Sequence, residues 1–183
     1  MFRSLAVGDR FDVEGIPFAT PQHGKNIAFV SLWDNYPSAL TIPVKAQKAS
    51  VAHILLAGST NHMQTHMDNA IIIANYKDGT SDTLHLIPPF NYCPIEQDFY
   101  VDGKAFQTVE PRPVRICLAT GTVSRNLGTA LSINSDEVYG REIPGGAAQL
   151  LSMPLSPSKK LHSFTLIPLS NDIVVGIMGI TLR

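Results

Sequence analysis

Two runs in this chain are apolar at odd and even positions alike, and they constrain its fold more than any other feature. One is Val51-Ala52-His53-Ile54-Leu55-Leu56-Ala57-Gly58; the other extends from Ile173 to Leu182. Short runs rich in Val, Ile and Leu and bounded by turn residues read as strands, not helices. Successive strand side chains point to opposite faces, so apolar residues on both faces need cover on both. Each run is therefore predicted to lie centrally in a sheet. In the second, a strict period of two puts Val174, Gly176, Met178, Ile180 and Leu182 on one face. Ile173, Val175, Ile177, Gly179 and Thr181 then share the other.

The rest of the chain repeats the pattern with weaker runs. Ile27 to Leu32 is apolar and stops at Asp34-Asn35-Tyr36-Pro37. Leu40-Thr41-Ile42-Pro43-Val44 alternates but carries a proline, which suits an edge or terminal strand because proline cannot donate to the ladder. Asn69 to Tyr76 and Thr83 to Ile87 flank Lys77-Asp78-Gly79-Thr80, a strong hairpin signal since Gly79 can take positive φ. A second Asp-Gly, Asp102-Gly103, joins Phe99-Tyr100-Val101 to Ala105 to Val109. Val114 to Ala119, Ala147 to Met153 and Leu161 to Leu169 complete the set, the last forming a predicted hairpin with Ile173 to Leu182 across Ser170-Asn171-Asp172. No segment sustains helical periodicity. Residues 1–183 are thus expected to form a single all-β domain, an antiparallel two-sheet sandwich or jelly roll. Its irregular stretches, Gly58 to Asp68, Pro88 to Asp98 and Gly121 to Gly146, should gather at its ends.

Composition agrees and removes some function classes. Hydrophobic residues are 44% of the chain and charged ones 16%, enough apolar material for a core between two layers. Net charge is −1, with Lys and Arg scattered apart from the adjacent Lys159 and Lys160, so no basic stripe invites nucleic acid. No apolar run reaches the ~18–20 residues that cross a bilayer as a helix. Met1 to Asp9 lacks the segments of a signal peptide. Cys93 and Cys117 sit in no CxxC and no zinc-like spacing. Cys117, inside Val114-Arg115-Ile116-Cys117-Leu118, reads as a small core residue, and whether the two thiols pair is left open.

The order of several short motifs points further. Gly15-Ile16-Pro17-Phe18 opens the domain, and Thr41-Ile42-Pro43-Val44 precedes His53-Ile54-Leu55-Leu56-Ala57. Tyr76-Lys77-Asp78-Gly79 makes a hairpin, and Thr181-Leu182 closes the last strand. The series resembles the β-sandwich accessory domains attached to bacterial glycoside hydrolases, akin to galactose-binding-like and NPCBM-type modules. Those domains carry a Trp after the Tyr-Asp-Gly hairpin, where this chain has Phe90-Asn91-Tyr92. The resemblance implies a galactose-binding-like sandwich excised from the C-terminal end of a larger exported protein, periplasmic or secreted; a cytoplasmic chain is the other reading. It implies a noncatalytic module with no cofactor and no metal of its own. Its partners would be the catalytic domain of the parent chain and an oligo- or polysaccharide, with no nucleic acid and no membrane.

Candidate sugar contacts come from the loops. Trp33, with Asp34, Asn35 and Tyr36, combines a flat ring for the apolar face of a sugar with polar groups for its rim; Tyr92 offers the same beside Asn91, and the other reading of each is a ring folded under its own loop to cover the end of the core. Asn61, His62 and His66 supply mixed donors and acceptors for a sugar, or else belong to a plain polar loop. His62 and His66 are four apart with Asp68 nearby, but no zincin pattern supports a metal site. His53 and His85 fall within strands and read as residues satisfied inside the sandwich. Catalytic residues are expected to be none. The rival reading is a small stand-alone glycosidase using two of the loop carboxylates Asp34, Asp68, Glu96, Asp98, Glu137 and Glu142, since such chemistry needs a pair across a cleft. A purely structural sandwich that oligomerises through its edge strands is the third.

Overall fold

The computed structural model describes residues 5–21, 23–99, 110–133 and 142–183. The second Asp-Gly hairpin, across Asp102-Gly103, lies outside the described residues. The described chain is predominantly β, and its pairing is antiparallel throughout. The strands are β1 (Arg10–Val13), β2 (Ile16–Ala19), β3 (Ala28–Ser31), β4 (Leu40–Gln47), β5 (Val51–Ser59) and β6 (Ala70–Tyr76). After these come β7 (Ser81–Leu86), β8 (Val114–Cys117), β9 (Val123–Ser124), β10 (Ala147–Pro154), β11 (Leu161–Pro168) and β12 (Val174–Leu182). One helical turn, α1 (Leu127–Ala130), and a 3-10 turn at His62–Gln64 interrupt them.

Six strands form one sheet in the order β3-β12-β5-β10-β8-β9, and four form another in the order β4-β11-β6-β7. Between these sheets lies the main core. Ile54 and Leu56 of β5, Val175 and Ile177 of β12, and Leu151 and Met153 of β10 meet Ile72, Ala74, Phe164 and Leu166 of the smaller sheet. The β1-β2 hairpin covers the opposite face of the larger sheet. Its Phe11, Val13, Ile16 and Phe18 pack on Leu55, Val114, Ile116, Ala148 and Leu150. This second cover is why β5 is apolar on both faces. It runs between β12 and β10, as its sequence requires, and β4 with Pro43 takes an edge.

Two expectations for the C-terminal strands are corrected. β11 and β12 do not form a hairpin: β11 lies between β4 and β6, and β12 between β3 and β5 in the other sheet. The corner between them is tied to the buried Asn69, whose carbonyl accepts from Leu169 N (2.8 Å) and Ser170 N (3.2 Å). Nor does β12 keep one parity. Its register against β5 shifts between Ile177 and Gly179, so Val175 and Ile177 face the core, and after the bulge Ile180 and Leu182 do. One extra residue swaps every later side chain to the other face.

Candidate functional site

The two loops nominated for sugar contact leave the larger sheet from the same end. Ser31, at the end of β3, pairs with Val174, and Val174 pairs with Ser59 at the end of β5. Side chains reinforce this rim: Ser31 Oγ donates to Ile173 O (2.6 Å), and Val174 N donates to Ser59 Oγ (3.1 Å).

The first loop is a closed turn that presents its aromatic residues. Tyr36 N donates to Trp33 O (3.0 Å), Ser31 N to Pro37 O (3.1 Å), and Trp33 N to Ser31 Oγ (3.2 Å). Held this way, Trp33 is 47% exposed. Tyr36 packs edge-on to Trp33 at 6.0 Å and to Phe29 at 5.6 Å. Asp34 and Asn35 stand in solvent beside the indole. Ile27, Phe29 and Leu32 are also large and exposed, so exposed apolar side chains lie on the edge strand β3 and on the residues flanking it, up to Trp33.

The second loop spends most of its polar groups on itself. Asn61 caps the 3-10 turn, its Oδ1 accepting from Met63 N (2.9 Å). Buried Asn69 organises the rest: it accepts from Thr60 Oγ1 and donates to Gln64 O (2.8 Å) and Met67 O (3.1 Å). Asp68 Oδ2 pairs with His85 Nδ1 (2.9 Å), and His66 sets its ring edge-on to Phe90 at 5.0 Å. The His62 side chain lies outside what is described. Among the described residues no three His, Cys, Asp or Glu side chains converge as metal ligands. Nδ1 of His53 hydrogen-bonds Ser152 Oγ on β10 (3.0 Å), whereas His85 is exposed and its partner Asp68 belongs to the loop, which corrects the expectation that it is satisfied inside the sandwich.

Tyr92 does not join this surface, which corrects its nomination. It is fully buried, and its hydroxyl donates to Ser59 O (3.0 Å). Burial pushes its ionisation far above the ordinary range. The cavity beside it is about 30 Å³, the size of a water and far below a sugar ring. An aromatic residue after a strand has two places to go, and here the apolar surround of Gly58 and β5 claims the ring.

A buried polar anchor, which sequence reasoning missed, fixes the Pro88 to Asp98 loop. On β8, Arg115 is fully buried. Its guanidinium donates to the carbonyls of Gln97, Pro94 (2.8 Å) and Ala147 (3.4 Å), lies 3.8 Å from Asp98 Oδ1, and stacks over Phe99 at 5.6 Å. Asp98 in turn accepts from Gly128 N (2.6 Å) at the start of α1. Across the ladder from Arg115, buried Gln149 accepts from Cys93 N (3.1 Å) and donates to Asn91 O (2.6 Å). The detectable signal is one charge inside the otherwise apolar Val114-Arg115-Ile116-Cys117. Cys93 and Cys117 are both free and buried, and burial raises the Cys93 thiol to about 12.

The loop carboxylates are dispersed. Asp68 is engaged by His85, and Asp98 is buried against Arg115. Asp34, Glu96 and Glu142 are exposed, and Glu137 lies outside the described residues. Comparison with known proteins finds no family model, no curated protein and no solved structure that matches this chain.

Proposed function

We propose that this chain is a noncatalytic accessory module of a bacterial glycoside-hydrolase-like protein. In this reading it has a jelly-roll or galactose-binding-like sandwich, packs on the catalytic domain of its parent chain, and meets carbohydrate through its end loops. The observation that carries the sugar part is Trp33, half-exposed on a braced turn with Asp34 and Asn35 at its rim. An indole so placed can cover the C–H face of a pyranose while neighbouring oxygens take its hydroxyls. The packing part draws support from exposed Ile27, Phe29, Leu32 and Trp33 on and beside an edge strand, with Phe29 and Trp33 linked through Tyr36, since exposed apolar surface of this kind marks contact with another protein surface. The order of motifs in the sequence favours the same class, and with it export to the periplasm or beyond.

Affinity electrophoresis through gels containing plant and host polysaccharides tests the sugar contact. Retardation by at least one glycan is expected, and Trp33→Ala should weaken it. Unretarded migration in every gel removes sugar from the proposal and leaves packing as the whole role. Turnover of chromogenic glycosides that one Asp or Glu substitution abolishes would overturn the noncatalytic reading itself.

A further inference from the structure

A cleft of about 690 Å³ opens where β10 loses its neighbour. The β8-β10 ladder ends at Val114 paired with Leu150. Continued by register, Pro113 would fall opposite Leu151 and Pro111 opposite Met153. Proline has no N–H to give a ladder, so the chain leaves β10 at this point, and among the described residues none pairs with the strand edge beyond Leu150 on this side. The apolar floor is Ile16, Val114, Leu150 and Leu151, and half-buried Phe90 forms one wall. At the rim stand Glu14, Glu110, Arg125 and Ser152.

The charges at this rim are matched. Arg125 lies 3.8 Å from Glu14, and Arg112 donates to Glu110 at 3.0 Å. A neutral rim of fixed carboxylates and guanidiniums gives no net attraction for phosphate or for a basic peptide. It does offer acceptor and donor side by side, which is what adjacent hydroxyls of a sugar require. The volume falls within the range of small-molecule sites, about 300–1,000 Å³. Glu14 adds a backbone observation. It has φ 50 and Gly15 has φ 77, the two positive values of a type I′ hairpin turn. Asn or Asp is favoured at the first of these positions, so a glutamate there is held in a disfavoured conformation with its carboxylate over the cleft.

We infer that this cleft is a carbohydrate subsite for a neutral oligosaccharide, with Phe90 under a sugar ring and Glu14, Glu110 and Arg125 on its hydroxyls. The inference rests on the ligand class of the proposed function but on a different surface. Ser152, at one end of the cleft, pairs with His53, which stands about 20 Å along β5 from Ser59 at ~3.3 Å per residue, while at the other end Phe90 meets His66 of the second loop.

Trp33 is the sole tryptophan, and this separates the two sites in one experiment. Isothermal titration with cellohexaose, xylohexaose, mannohexaose and galactohexaose is run alongside indole emission. Heat of binding for at least one hexaose is expected to persist in Trp33→Ala, in which the rim contact is gone. Glu14→Asn should weaken it about tenfold, the scale of one charge-assisted hydrogen bond. That variant suits the positive φ, so it keeps the fold; Glu110→Gln provides an independent second loss. Heat unaffected by both carboxylate variants overturns the subsite, as does the absence of heat with all four sugars. Binding that shifts the indole emission and is lost in Trp33→Ala alone also overturns the subsite while upholding the rim as the sugar contact.

Discussion

Removing the guanidinium of Arg115 should destabilise this protein more than any substitution at its surface loops. Arg115→Met keeps the volume and the apolar stem but deletes every donor. The carbonyls of Pro94, Gln97 and Ala147 then lose a buried partner, and Asp98, which is 3% exposed, is left with the Gly128 N–H as its hydrogen-bond donor among the described residues. Breaking one side of a buried charge pair costs about 3–5 kcal/mol, because what remains is a desolvated charge. The asymmetry of the contacts gives a sharper expectation. The ion pair itself is long, at 3.8 Å, whereas the fork reaches backbone carbonyls through two nitrogens. Asp98→Asn should therefore cost less than Arg115→Met, and Arg115→Lys should not rescue, since a single ammonium cannot reproduce the planar fork. In the double variant Arg115→Met with Asp98→Asn, part of the loss should return because no charge is left stranded.

Urea unfolding followed by circular dichroism gives the free energies, and hydrogen exchange by mass spectrometry places them. Peptides spanning Pro88 to Phe99 should exchange first in Arg115→Met, because their backbone is what the guanidinium holds. A loss below about 1 kcal/mol, the scale of a single net hydrogen bond, would refute the anchor. Equal costs for Arg115→Met and Asp98→Asn, with no recovery in the double variant, would refute the division of labour between them.

Further outcomes follow from the same contacts. Gly58→Ala should cost about 3 kcal/mol or more in urea unfolding, because a Cβ there overlaps the Tyr92 hydroxyl and the Val174 carbonyl oxygen in a core that cannot give way. Gly79→Ala meets open space but sits at φ 84, so its cost should stay near 1–2 kcal/mol. Asp82 accepts from the Tyr76 hydroxyl, which holds its carboxyl below the usual range, and Ser156 N supports it. The stability this contributes is complete above the unfolded value of ~3.9 and disappears as pH falls through the lower folded value. Acid titration of unfolding should therefore show a limb below about pH 4 that is shallower in Asp82→Asn. A disulfide-exchange reagent should leave both thiols untouched in the native state and titrate both in denaturant; rapid native labelling of Cys93 would contradict its burial and its raised ionisation.

The strand pattern was legible because burial imposes a period of two. Where both faces of a strand are covered, as in β5, the alternation vanishes, and that absence located β5 and β12 at the centre of the larger sheet. Other features carry no such trace. The bulge in β12 lies among residues apolar on either parity, so one inserted residue leaves the pattern unaltered. The turn Ser170-Asn171-Asp172 announces a reversal but not whether the next strand returns to the same sheet. Here Asn69, distant in sequence, ties the corner across to the other one.

The candidate site divides along a similar line. Trp33 was legible as a loop aromatic, and it is exposed because Ser31 and Pro37 close the turn beneath it. Tyr92 has an equally loop-like sequence context and is buried, because Gly58 leaves room on β5 for its hydroxyl and Ser59 offers that hydroxyl a carbonyl. Neither cause is local to Phe90-Asn91-Tyr92. The same holds for the cleft beside β10: Glu14, Phe90, Glu110 and Arg125 are scattered through the chain, and no spacing among them signals a site. What brings them together is a pair of prolines that end a ladder and a hairpin turn folded onto the opposite face. Isolated loop residues were therefore the visible candidates. The better-built cavity arises where the sheet runs out of partners, and that is decided by the pairing of β8 with β10.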